Sequence, residues 1–127
     1  MESVKDILTQ QITNNVDSEV IDGFATSAGT ITAPASVLFS PEDFDKMVPG
    51  SILVCPFTTP AWTQLFTQAS GLVTDIGGIG GHGSIVAREY GIPAVMGTGI
   101  GTQCIVHGQV ITVDGDAGTV SLGPAGA

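Results

Sequence analysis

The sequence predicts one domain of mixed α/β or α+β class. Its 127 residues fit a single domain that is long enough to bury a core. Hydrophobic residues make up 43% of the chain and charged residues 12%, which is typical of a globular protein and not of a disordered one. Strand and helix patterns alternate in the middle of the chain, and both ends of that region are rich in strands. This order favours a mixed domain without internal repeats.

The N-terminal part of the chain predicts one helix followed by two strands. Apolar residues recur at helical spacing over residues 3–14, so we expect an N-terminal helical segment, residues 1–16, that docks on the domain or on a partner protein. In residues 20–38, β-branched and apolar residues are interrupted by glycine and proline. That pattern predicts two short strands joined by a turn around residues 27–29.

The central part predicts alternating helices and strands. A hydroxyl residue followed by proline marks the start of two helices, expected over residues 41–49 and 60–69, the second being ended by Gly71. Buried strands are expected over residues 51–55 and 72–74, where apolar residues are continuous.

The C-terminal part predicts a helix, a strand and a hairpin. The helix is expected over residues 82–90, because Gly91 suits a left-handed C-terminal cap. A strand over residues 94–96 follows. Turn residues then separate two strands, over residues 109–114 and 118–122, as in a β-hairpin. We expect the last residues, 123–127, to form a flexible tail.

Charge and hydropathy exclude several classes of partner. Three basic residues against twelve acidic ones give a formal net charge of -9, and such a surface repels nucleic-acid phosphates and anionic lipid. Basic protein surfaces are therefore better partners than nucleic acid or membrane. No apolar run reaches the roughly 18 residues of a transmembrane helix, and the N-terminus lacks a basic segment followed by an apolar one, so we expect a cytoplasmic protein.

The cysteines indicate neither a disulfide framework nor a metal site. Cys55 and Cys104 are too few for the former, and the chain has no CxxC or HxxxH spacing for the latter. Because a free cysteine usually packs as a small apolar residue, we expect both thiols to be buried.

The candidate site is the glycine-rich turn GGIGGHGS at residues 77–84, in which five glycines surround His82. The first N–H groups of a helix have no partner within it, and the helix dipole favours an anion there. An imidazole has a basic nitrogen near neutral pH and can attack phosphorus without a separate base. We therefore expect His82 as the nucleophile, with phosphate contacts from Gly80, Gly81, Gly83 and Ser84.

Other interpretations of these residues stay open at this point. A glycine cluster before a helix is often only a tight connection, and a lone histidine in a turn is often an exposed bystander. No lysine follows the glycines as in a GxxxxGK phosphate loop. Ser84 does not match the GxSxG nucleophile elbow, so a hydrolase that uses His82 and Ser84 is the least favoured alternative.

Two further polar residues, Arg88 and His107, lie outside the glycine turn. Arg88 lies six residues after His82, about 240° around the same helix, and so points away from it. It is expected to form a structural ion pair, or to support the phosphate only by bending back or by acting on a partner. His107 precedes a glycine in a turn without an acid beside it, and we interpret it as structural.

Residues 77–97, GGIGGHGSIVAREYGIPAVMG, resemble the signature of the phosphoenolpyruvate-utilising enzyme family, in which GG and two variable positions precede [TS]-H-A-A-I-x-A-R-E-x-G-I-P-A-V-x-G. The similarity extends to residues 50–66 and 114–120. This resemblance implies a swivelling phosphohistidine domain of β/β/α architecture over residues 17–122. It also implies that His82, the matching histidine, carries a phosphoryl group, on its Nε2 atom.

The resemblance further implies partners. In that family an ATP-grasp domain or a phosphoenolpyruvate-binding barrel supplies the donor site, with ATP or phosphoenolpyruvate and Mg²⁺, so we expect no cofactor on this chain alone. Nucleotide-binding and acceptor-binding domains or subunits are the expected partners. The sequence departs from the family motif at Gly81, Gly83 and Ser84. These departures leave open an alternative, a docking or regulatory module without phosphotransfer.

Overall fold

Eight strands form one continuous sheet in the structure, a computed structural model that describes residues 20–78 and 80–122. The strands are β1 Val20–Asp22, β2 Phe24–Ser27, β3 Thr30–Val37, β4 Ile52–Cys55, β5 Gly71–Thr74, β6 Ala94–Met96, β7 Val110–Asp114 and β8 Thr119–Ser121. The helices are two 3-10 helices, Pro41–Lys46 and Pro60–Leu65, and two α-helices, α1 His82–Tyr90 and α2 Gly101–Cys104. The expected N-terminal helical segment, residues 1–16, and the tail, residues 123–127, lie outside the described residues.

The order of strands in the sheet is β1-β8-β7-β3-β4-β5-β6-β2. Strands β3, β4, β5 and β6 are parallel, and the remaining pairs are antiparallel. The first part of β3, from Thr30 to Pro34, pairs with β7, and its last part, from Ala35 to Val37, pairs with β4. Strand β3 therefore joins an antiparallel half of the sheet to a parallel half.

Side chains of the parallel strands alternate between two apolar clusters. On β4, Leu53 and Cys55 pack in a cluster with Trp62, Phe66 and other residues of the helical segments. The intervening β4 residues, Ile52 and Val54, pack in a second cluster with residues of β7 and β8. The parallel half of the sheet thus lies between the helices and the antiparallel half. This confirms the expected β/β/α architecture in a single α/β domain.

Local signals located several elements correctly. The helix His82–Tyr90 and the strand Ala94–Met96 have the expected bounds, and Gly91 has the left-handed conformation of a C-terminal cap, with φ of 69°. Strands β4 and β5 and the β7–β8 hairpin lie where they were expected, with ends shifted by at most one residue.

Residues 20–38 contain one strand more than predicted, and the turn expected around residues 27–29 lies between β2 and β3. Three strands occupy this region, and each pairs elsewhere: β1 with β8, β2 with β6, and β3 with β7 and β4. Gly23 separates β1 from β2, and a Cβ at this position would lie 2.6 Å from the carbonyl oxygen of Met96. The break is caused by this close approach to β6, which is distant in the sequence.

The two central helices are shorter than predicted. Both are 3-10 helices of six residues, and neither Ser40 nor Thr59 caps its helix with a side-chain hydrogen bond. The Asp43 carboxylate instead accepts the Phe39 N–H at 2.9 Å, and this bond together with Lys46 lowers the pKa of Asp43. Gly71, expected to end the second helix, is the first residue of β5.

Helix α2 and one cysteine also differ from expectation. Helix α2 was not predicted; its first turn is held by the hydroxyl of Thr98, three residues before Gly101, and by the carboxylate of Asp75, which follows β5. Cys55 is buried as expected, but Cys104, the last residue of this short helix, is only half-buried. Within the described part of the chain, no helix has the length and apolar character needed to cross a membrane.

Candidate functional site

His82 is the first residue of α1, which begins directly after the glycine turn that follows β5. The turn is closed by a hydrogen bond from the Gly81 N–H to the Gly78 carbonyl, at 3.0 Å. Gly81 is the N-terminal cap residue, with extended backbone angles and no side chain to bond the helix. His82 therefore lies at the carboxyl edge of the parallel strands, among the first N–H groups of a helix, which have no acceptor within the helix itself.

Two threonine hydroxyls contact the His82 ring, one at each nitrogen. Thr58 Oγ1 is 3.2 Å from Nδ1, and Thr63 Oγ1 is 3.3 Å from Nε2. Thr58 comes from the loop after β4, and Thr63 comes from the 3-10 helix that follows this loop. The ring is half-buried, so it is held on both sides and still reaches solvent.

These contacts are compatible with a neutral imidazole in either tautomer. A neutral ring carries one N–H donor and one acceptor nitrogen, whereas a hydroxyl does both. If Nδ1 carries the proton, it donates to Thr58, and the lone pair of Nε2 accepts from Thr63. The two contacts fix the plane of the ring. Their relative strength determines which nitrogen carries the proton and which is basic.

The glycines that were expected to contact the phosphate differ in how far they are buried. Gly80 is exposed, and a Cβ added there would have no atom within 4 Å, so its backbone is open to a ligand. Gly81 is half-buried, and its carbonyl accepts the Ile85 N–H at 3.2 Å. Gly83 is buried, and a Cβ there would lie 2.7 Å from Thr58 Oγ1. Only glycine therefore fits at position 83 without moving Thr58.

Ser84 supports the turn from inside. Its side chain is fully buried, and its hydroxyl donates to the Gly81 carbonyl at 2.9 Å. This hydrogen bond joins the first turn of α1 to its cap residue. The structure therefore places the Ser84 hydroxyl beneath the turn, while the contacts to the His82 ring come from Thr58 and Thr63.

The two other polar residues lie apart from the ring. Arg88 is exposed, and its Nη1 is 3.5 Å from the carbonyl oxygen of Thr26 on β2. A structural ion pair of Arg88 with an acid stays a prediction. His107 is exposed, and its Nδ1 accepts the Val37 N–H at 3.1 Å, a contact that ties its turn to the end of β3.

Sequence reasoning missed the two threonines and Asp75. The only available signal was the run Thr58-Thr59-Pro60, which was interpreted as a helix start. Asp75 follows β5, and its two carboxylate oxygens accept the backbone N–H and the hydroxyl of Thr102. Its carbonyl also accepts the Gly99 N–H at 2.9 Å. Asp75 thus fixes the start of the glycine turn to the loop after β6.

The loops around His82 carry exposed apolar side chains and little charge. Phe57, Ile76 and Ile100 follow β4, β5 and β6 and are 50%, 65% and 42% exposed. Because parallel strands end at one edge, these side chains lie on the same side of the domain as the histidine. Residues 20–78 and 80–122 contain no group of three or more His, Cys, Asp or Glu side chains that could hold a metal ion.

Comparison with known proteins identifies relatives of this domain. Residues 47–118 match the family model of the PEP-utilising enzyme, mobile domain. The chain is 46% identical over 102 residues to the uncharacterized phosphotransferase YvkC of Bacillus subtilis, and 43% identical over 108 residues to the rifampicin phosphotransferase of the same organism. These matches cover 80% and 85% of this chain and 12% of each relative.

A solved structure supports the same assignment. An NMR structure of Enzyme I (nEIt) is 33% identical, with a TM-score of 0.54 over 60% of this chain and 32% of that one. The match of the family model includes β4, the glycine turn with His82, and α1. The chain spans about 12% of the length of the curated relatives named above. It belongs to the family of PEP-utilising enzyme mobile domains.

Proposed function

We propose that His82 accepts a phosphoryl group from a donor site on one partner domain and delivers it to an acceptor site on another. The observation that carries this proposal is the placement of the ring. It stands at the start of α1, half-buried, with a threonine hydroxyl at each nitrogen. A helix N-terminus favours the negative charge that a phosphohistidine brings.

The chemistry needs one nucleophilic nitrogen and two displacements. The Nε2 lone pair attacks the transferred phosphorus, an N–P bond forms, and the bond from phosphorus to the oxygen of ADP or of enolpyruvate breaks. In the second step a hydroxyl of the acceptor attacks the phosphorus, the N–P bond breaks, and Nε2 regains its lone pair. The proton of that hydroxyl passes to a base of the acceptor site. In both steps Thr58 keeps the ring oriented, and Thr63 is placed to donate to a phosphoryl oxygen on Nε2.

The donor site lies on partner domains in this proposal. A nucleotide-binding, ATP-grasp-like domain or a phosphoenolpyruvate-binding one supplies the donor and Mg²⁺, because in-line transfer requires cations on the phosphate oxygens. The exposed apolar side chains Phe57, Ile76 and Ile100 follow strands that end at the same edge of the sheet as His82, and such groups exclude water when two protein surfaces meet. Water exclusion protects a reactive phosphoryl group from hydrolysis. The reaction is assigned to the cytoplasm, where both donors occur.

The test is phosphorylation by the phosphotransferase partner that copurifies with this chain, with labelled ATP or phosphoenolpyruvate, followed by peptide mapping. We expect an acid-labile, base-stable adduct on His82 that is absent in His82→Ala. His107→Ala is the matched control, because the chain has two histidines and His107 bonds the backbone of Val37. It should be labelled as strongly as the wild type. An unmodified His82 during turnover would refute phosphoryl transfer and support the docking or regulatory module.

A further inference from the structure

The terminal methyl group of Met96 lies beneath the glycine turn. Met96 ends β6 and is 2% exposed. A Cβ added at Gly77 would lie 2.7 Å from Met96 Cε, and one added at Gly83 would lie 2.8 Å from it. The same methyl group therefore fills the space that two side chains of the turn would otherwise occupy.

The Thr58 hydroxyl lies on the other side of this space. A Cβ at Gly83 would be 2.7 Å from Thr58 Oγ1, and this oxygen is 3.2 Å from Nδ1 of His82. Carbon and oxygen atoms do not approach so closely without a shift. Thr58 can thus contact the histidine in this position only because residue 83 has no side chain.

We propose that Gly83 and Met96 are paired positioning residues that hold the Thr58 hydroxyl against Nδ1, where its oxygen accepts the Nδ1 proton in a hydrogen bond, and so make Nε2 the basic nitrogen of His82. Gly83 provides the space for the hydroxyl, and Met96 Cε fills what remains of it, so the hydroxyl has one position. The effect on phosphoryl transfer rests on the proposed function, whereas the effect on the ring tautomer does not.

An alanine at position 83 acts on the histidine more than on the fold. Both atoms that its Cβ would meet, Thr58 Oγ1 and Met96 Cε, are ends of side chains that rotate. The next nearest atom, a methyl of Leu72, is at an ordinary distance of 3.5 Å. The added methyl is accommodated when Thr58 turns away, and this movement breaks its contact with Nδ1.

The experiment measures the tautomer of His82 by long-range ¹H–¹⁵N NMR in Gly83→Ala, Met96→Val and the double variant. One lost hydrogen bond should change the ratio of the two neutral tautomers about 5-fold in Gly83→Ala. Met96→Val alone should shift the ratio in the same direction by less. The double variant removes Cε but still places the new methyl 2.7 Å from Thr58 Oγ1, so its ratio should stay close to that of Gly83→Ala.

Two controls keep the measurement specific. Gly78→Ala adds a methyl to the same turn, where nothing lies within 4 Å, and should leave the ratio unchanged. Thr58→Val removes the hydroxyl directly and should change the tautomer ratio as much as Gly83→Ala does. Thr58→Val also tests the inference if Gly83→Ala does not fold. The initial rate of phosphorylation by potassium phosphoramidate, a donor that needs no partner, should follow the Nδ1–H fraction across the series.

The outcomes separate this inference from the proposed function. If the tautomer ratio of Gly83→Ala and of Thr58→Val equals that of the wild type, the inference is overturned. It is also overturned if the double variant returns to the ratio of the wild type. If partner-dependent labelling of His82 fails but these ratios change as expected, the proposed function falls and the positioning role stands.

Discussion

Gly115 gives the sharpest prediction for the fold. It lies in the turn between β7 and β8, and its N–H donates to the Gly29 carbonyl at 2.7 Å. A Cβ at this position would overlap the carbonyl oxygen of Ser27 and come within 3.2 Å of the Ala94 nitrogen. These are backbone atoms at the point where β2 pairs with β6, so they cannot rotate away. Gly115→Ala must separate the hairpin from the β2–β6 pair.

The cost follows from two contributions. Overpacking a rigid site costs about 1–3 kcal/mol. Loss of the Gly115 to Gly29 hydrogen bond adds about 1 kcal/mol. We expect Gly115→Ala to lower the free energy of unfolding by about 3 kcal/mol, a large part of the roughly 5–15 kcal/mol of a typical domain.

The assay is urea unfolding followed by the fluorescence of Trp62, the single tryptophan, which is 3% exposed. With a slope of about 2 kcal/mol per molar urea, the midpoint should fall by about 1.5 M. Gly108→Ala is the control: it has φ of 88° but no atom within 4 Å, so it carries only the backbone strain, about 1 kcal/mol. A Gly115→Ala midpoint equal to or above that of Gly108→Ala would contradict the packing argument.

Three further predictions concern the residues beside the site. Asp75→Asn weakens the two bonds to Thr102 and should lower the free energy of unfolding by about 1–2 kcal/mol; an unchanged urea midpoint would show that the carboxylate is not needed there. Half-buried Cys104 should react with a thiol reagent in the native protein, whereas buried Cys55 should react only after unfolding. The Cys104→Ser variant leaves Cys55 as the one thiol to be followed; if Cys55 reacts in the native protein as fast as Cys104 does, the burial of Cys55 is contradicted. Burial, and to a lesser extent the Asp75 charge, raises the pKa of the Cys55 thiol above its ordinary 9.0. Above that pH the unfolded state loses a proton that the folded state keeps, so the free energy of unfolding should fall by up to about 1.4 kcal/mol per pH unit. The fall should be less steep in Cys55→Ala. If the free energy of unfolding falls with pH equally steeply in both proteins, the raised pKa of Cys55 is refuted.

Elements specified by neighbouring residues were predictable from the sequence. Helix α1 has a glycine turn before it and Gly91 after it, and both signals act within one turn of the chain. The β7–β8 hairpin likewise depends on a short run of turn residues. The position of His82 at a helix start could be predicted for the same reason.

Elements specified by distant residues were not predictable. The sequence did not show that strand β2 pairs with β6, about 70 positions further along, an approach that Gly23 permits. The contacts of Thr58 and Thr63 with His82 span 24 and 19 positions. No periodicity in one segment shows which hydroxyl of another segment will face it. These contacts depend on the parallel pairing of β4 and β5, which brings their ends together.

The departures from the family motif are explained by the same geometry. The motif has threonine or serine before the histidine, where this chain has Gly81, and alanine after it, where this chain has Gly83. Here Thr58 and Thr63 supply hydroxyls to the ring, and Gly83 leaves the space for one of them. The histidine of this chain thus has two hydroxyl contacts although Gly81 has no side chain.

On the proposed function, this arrangement keeps the histidine of a moving carrier domain in one orientation. The groups that orient His82 come from the β4 loop, the following 3-10 helix and β6, all parts of the sheet and helices that pack around one apolar cluster. A rigid-body rotation of the domain moves the ring and its threonines together. The ring orientation is then the same at the donor and the acceptor site, and a partner has only to supply the groups that bind the phosphate oxygens.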